Sequence, residues 1–101
     1  MSARGFLLLR RGGLLWGVAN SDVEGLALRG GGFFVALSGS TLVADEILGV
    51  VEGLVVRRLA PSLRRFWPVA AAGMAVHGDE PLVVVDPERP PRVLRLEQGD
   101  A

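Results

Sequence analysis

Chemistry in this sequence would have to come from a short set of side chains. There is one histidine, His77, and five serines, Ser2, Ser21, Ser38, Ser40 and Ser62. A serine nucleophile needs a base, and none of the serines sits in a G-x-S-x-G elbow. A single histidine cannot supply the three or four N or S ligands of the usual metal site. The reading is no catalytic residue, no metal and no cofactor, with His77 beside a turn.

Asp45-Glu46 and Asp79-Glu80 are adjacent carboxylate pairs. Paired carboxylates do acid–base work only when one of them is held protonated. Neighbouring residues on a strand point to opposite faces, so each pair splits across its sheet. Both pairs therefore read as solvated turn charges, unless an inward-facing member of the first accepts hydrogen bonds from a neighbouring turn. Gly12-Gly13 and Gly30-Gly31-Gly32 lack the phosphate-loop pattern, and the sequence contains no lysine to complete one. Both runs read as hairpin turns. Leu63-Arg64-Arg65-Phe66-Trp67 mixes basic and aromatic residues. The formal net charge of zero argues against nucleic acid, which needs a basic stripe to displace counterions. Leu63, Phe66 and Trp67 are expected to pack inward, and Trp16 is a core candidate.

The elements that position these residues are short. Phe6–Arg10 and Leu14–Ala19 read as a hairpin across Gly12-Gly13. Asn20-Ser21-Asp22 supplies cap-type residues, so Val23–Leu26 is expected to form one helical turn, ended by glycine. Phe33–Leu37, Thr41–Ala44, Ile47–Leu59, Met74–His77 and Leu82–Val85 read as strands. A buried helix competes for 41–52, but β-branched residues with Gly49 and Gly53 favour a strand bent around a small barrel. Pro61–Phe66 is the best helix candidate, with Pro61 at the first position and Pro68 past the end. Ala70–Gly73 is ambiguous, and Asp86–Pro91 breaks regular structure. Val93–Leu96 alternates as an edge strand or a docked tail would, and residues 97–101 are expected to fray.

The 101 residues, half of them hydrophobic, fit one domain over 1–101. The absence of cysteine removes disulfides and thiolate chemistry and fits a reducing compartment. Arg10 and Arg11 interrupt the apolar run of Phe6–Leu9, too early for a signal peptide or a membrane span. The expectation is a cytoplasmic protein without membrane insertion.

The stretch from Leu42 to Glu52 resembles the core motif of CheW-like domains, where a strand ending in V-D-E-V leads into further valines. Leu63–Pro68 resembles that family's linker, and Ala72–Asp86 its final hairpin. The front hairpin, Phe6–Arg10 with Gly13–Val18, and the turn Asn20–Leu26 resemble it loosely. The likeness is strongest over 41–86. Leu28-Arg29-Gly30 echoes the family's N-L-R-G turn without the strand that follows there. The resemblance implies a mainly β fold of SH3-like barrels, reduced in size, with one or two short helices. It implies a non-enzymatic adaptor or scaffold in bacterial signal transduction. Partners would be a histidine kinase regulatory domain, a receptor or another CheW-like domain. Val50, Leu54, Val56, Arg57 and Arg58 are the expected contributors to the binding face, with core packing the competing role for the valines. The other reading is a self-associating structural protein, a homo-oligomer that has lost chemotaxis partners.

Overall fold

A computed structural model describes residues 5–57, 71–88 and 90–96. Eight strands fall among them: β1 Gly5–Arg11, β2 Leu14–Ala19, β3 Val23–Arg29, β4 Gly32–Leu37, β5 Thr41–Ala44, β6 Glu46–Glu52, β7 Ala71–His77 and β8 Glu80–Val85. The chain is mainly β, as its composition of short apolar runs and glycine turns implies. The expected helix over Pro61–Phe66, the inward packing of Leu63, Phe66 and Trp67, and the frayed end at 97–101 lie outside the described residues.

The strands form two sheets, one five-stranded in the order β6-β1-β2-β8-β7 and one three-stranded in the order β3-β4-β5. All neighbours are antiparallel except β2 and β8, which run parallel through Trp16–Val83 and Gly17–Val84. The five-stranded sheet closes on itself. Beyond β6 the chain curls until Arg57 pairs with Met74 of β7, exchanging two backbone hydrogen bonds of 2.8 Å. The two bends expected in this segment fall where the glycines are. Gly49 has φ +122° beside the bulge that shifts the β1–β6 register, and Gly53, just past β6, has φ +83°. Both values lie where L side chains are strained.

The apolar runs follow from this closure. Leu7 and Leu9 of β1, Trp16 and Val18 of β2, and Val83 and Val85 of β8 face outward from the ring and meet Val35, Leu37, Leu42 and Ala44 of the three-stranded sheet. The alternate residues Leu8, Leu15, Leu82 and Val84 face into the ring with Ala75 of β7. The central strands are thus buried on both faces. That is why Leu7-Leu8-Leu9 and Leu82–Val85 read as unbroken hydrophobic runs.

Val23–Leu26 is not a helical turn. Only Asn20–Asp22 turn helically, as a single 3-10 turn, and Val23–Arg29 continues as β3. Gly30 and Gly31 have φ of +56° and +82°. That conformation folds β3 back on β4 as a two-residue hairpin, and the ladder hydrogen bonds outweigh the cap residues. Ala71–Gly73 extends β7 toward its start. The segment Val93–Leu96 is a docked tail. Leu94 is fully buried, its carbonyl accepts from Val43 N–H at 2.6 Å, and Leu96 N–H donates to Thr41 at 3.0 Å.

Ring closure depends on one missing side chain. A Cβ on Gly73 would lie 2.6 Å from the Arg57 carbonyl oxygen and 2.8 Å from Val56 Cγ1. Gly73→Ala is expected to push Val56 and Arg57 off β7, destabilising the fold by about 1–3 kcal/mol as overpacking does. Amide exchange reports this directly. Arg57 and Met74 should lose protection first, and unchanged protection at both would refute the closure.

Candidate functional site

Among the described residues, Arg10, Arg11, Asp45 and Glu80 are tied into two ion pairs. Asp45 accepts from Gly12 N–H at 3.0 Å and from Arg11 Nη1 at 2.9 Å. It is exposed rather than inward-facing, so the turn bonding expected of an inward-facing member is made instead by a surface carboxylate that ties the β1–β2 turn to the start of β6. The Gly12 N–H, followed by the Arg11 guanidinium, holds its carboxyl below the ordinary value. Glu80 receives a bidentate pair from Arg10, at 2.9 and 3.0 Å, which lowers its carboxyl likewise. A carboxyl lowered in the folded state adds stability above its ordinary pKa. That stability disappears as pH falls through the lowered value. The denaturation midpoint is expected to decline as pH drops from about 4.5 downward, more shallowly in Asp45→Asn and Glu80→Gln. A slope unchanged in both variants would show that neither carboxyl carries the effect.

His77 is exposed at the end of β7, beside the turn at Gly78-Asp79. No group of three potential metal ligands occurs among the described residues. A depression of about 630 Å³ has Asp22, Glu24, Glu88 and Arg95 in its wall and no histidine. Ser40 Oγ, also in that wall, is buried without a hydrogen-bond partner. No helix among the described residues is long and apolar enough to cross a membrane.

The surface is more informative where it is apolar. Val50, on β6, stands on the outer face of the ring with half its surface exposed, and its Cγ1 lies over Gly5. Arg57 shares the face of its partner Met74, which is also the outer face, because Met74 pairs with the outward-facing Val83. Val55 lies two residues before Arg57 and Val76 two residues after Met74, outside the single bridge that joins the two segments. These two valines are 71% and 60% exposed. Exposed valines, the valine seam, thus flank the Arg57–Met74 bridge where the ring closes.

The expected binding residues divide across this wall. Val50 and Arg57 face outward. Leu54 packs with Phe6 and Val51 against the cluster inside the ring. Val56, 37% exposed, directs Cγ1 at Gly73. Arg58 lies outside the described residues. Val55 and Val76 were legible only as members of apolar runs. What exposes them is the closure, which no local pattern encodes.

A second apolar region lies on the three-stranded sheet. Leu26 and Leu28 of β3 are 57% and 65% exposed. They border depressions of about 430 and 250 Å³ that reach Phe34, Ala36 and Leu96 on one side and Phe33 and Ile47 on the other. Comparisons of the chain with protein-family models, curated proteins and solved structures gave no match.

Proposed function

We propose that this chain is a non-enzymatic protein-interaction module, an adaptor of the kind that CheW-like coupling domains represent. Its partner docks on the outer face of the ring along the closing seam. The observation that carries this reading is the exposure of Val55 and Val76, each two residues from the Arg57–Met74 bridge, together with that of Val50. Apolar side chains next to arginine are the composition of a binding patch. A five-stranded sheet whose ends meet through a curled segment supports the SH3-like expectation. The favoured partner is the regulatory domain of a CheA-type histidine kinase.

Titration calorimetry with such a domain from the same genome tests the reading. Binding is expected, weakened at least tenfold by Val55→Asp with Val76→Asp, a loss of about 1.4 kcal/mol or more. Exposed positions should leave the melting temperature nearly unchanged. No binding by the unaltered chain, or equal binding by the double variant, would sink it.

A further inference from the structure

Sheet edges are normally covered or blunted, because their free N–H and C=O groups recruit other strands. Here a single bridge, Arg57–Met74, joins the two ends of the five-stranded sheet, and the tail at Leu94–Leu96 covers the outer edge of β5. Among the described residues β3 pairs with β4 alone, and its other edge has no strand beside it. The edge also carries no lysine or proline to deter pairing.

The hairpin turn decides which groups the edge presents. A two-residue turn at Gly30-Gly31 makes Arg29–Gly32 the hydrogen-bonded pair that closes it. Pairing then alternates along the ladder, so Ala27–Phe34 is bonded and Leu26 and Leu28 aim their N–H and C=O at the open side. The leucine side chains share the face of their partners Val35 and Phe33, the side of the main core.

We infer that a second copy of this chain occupies this edge, with β3 pairing antiparallel to its own equivalent about a two-fold axis at Ala27. In that register Leu26 of each copy lies opposite Leu28 of the other, and each such pair exchanges two backbone hydrogen bonds. The exposed leucines become a cross-strand apolar cluster continuous with the core. Charge favours the arrangement. Glu24 stands near the start of β3 and Arg29 at its end, so antiparallel pairing brings each acidic end beside a basic one. Parallel pairing would set Arg29 against Arg29. A chain of zero net charge also adds little general repulsion between copies.

Sedimentation equilibrium of the purified chain over a concentration series tests this. A dimer is expected. Leu26→Lys with Leu28→Lys should place like charges opposite each other and shift the chain to monomer. Leu26→Lys with Leu28→Glu should restore the dimer, because each introduced ammonium then faces an introduced carboxylate on the other copy. Circular dichroism identifies any variant that fails to fold, and the charge-paired variant serves as the folded control. An unaltered chain that stays monomeric overturns the inference, as does a dimer indifferent to both variants. A lysine pair that dissociates without rescue by the charge-paired variant overturns the register. The kinase-domain titration is independent, since it reads the valine seam and not β3.

Discussion

Trp16→Ala is expected to cost about 3–5 kcal/mol. Among the described residues Trp16 is the bulkiest fully buried side chain, and it sits in the cluster between the ring and the three-stranded sheet. Its backbone lies on β2, at the parallel pairing with Val83 of β8. The indole N–H donates to the Arg11 carbonyl at 3.1 Å, so the polar end of the ring is satisfied as well. Truncation removes packing from both sheets at once and leaves that carbonyl without this donor. Chemical denaturation measures the effect. A loss below about 1 kcal/mol, the range of substitutions outside the core, would mean that the two sheets do not pack through this residue.

Leu94→Ala is the second large effect, expected at about 2–5 kcal/mol for a fully buried leucine. Its consequence should differ in kind. Leu94 belongs to a short tail that inserts into the main core from outside any strand ladder of its own. Two backbone hydrogen bonds tie the tail to β5, one from Val43 N–H and one to the Thr41 carbonyl. A local opening of this tail can occur without unfolding the ring. The Val43 amide should therefore exchange faster in the variant by more than the global loss of stability accounts for. The Leu8 and Leu82 regions inside the ring should follow the global value. Equal acceleration at Val43 and inside the ring would show that the tail and the core unfold as one unit.

The binding surfaces rest on this architecture. The valine seam exists because the chain beyond β6 curls far enough for Arg57 to meet β7, and among the described residues β3 has a strand on one edge only. Conditions that release the tail would expose the outer edge of β5 as well. That edge would then compete with β3 for added strands. Tail docking thus bears on which surface of the three-stranded sheet is available.

The sequence by itself determined the β class, most strand positions, the hairpin at Gly12-Gly13 and the bends at Gly49 and Gly53. These are local matters. Period-two apolar runs and glycines at positive φ depend on a few neighbouring residues, so they can be read in order along the chain. It also bounded the chemistry, since an absent cysteine or lysine is absent in any fold. β3 was misjudged because Asn20-Ser21-Asp22 carries genuine helix-start residues. Ladder pairing with β4, a cross-strand contact, overrode that local preference.

Only the tertiary structure decided which apolar residues are covered. Val50, Val55 and Val76 are exposed, while Val51, Leu54 and Val84 of much the same character turn toward the ring interior. The one-residue bulge at Leu48-Gly49 is enough to invert the alternation within β6, so Ile47 faces the core between the sheets and Val51 the inside of the ring. Whether a valine is core or surface depends on that register and on where the ring closes. Both are set by contacts between residues far apart in the chain.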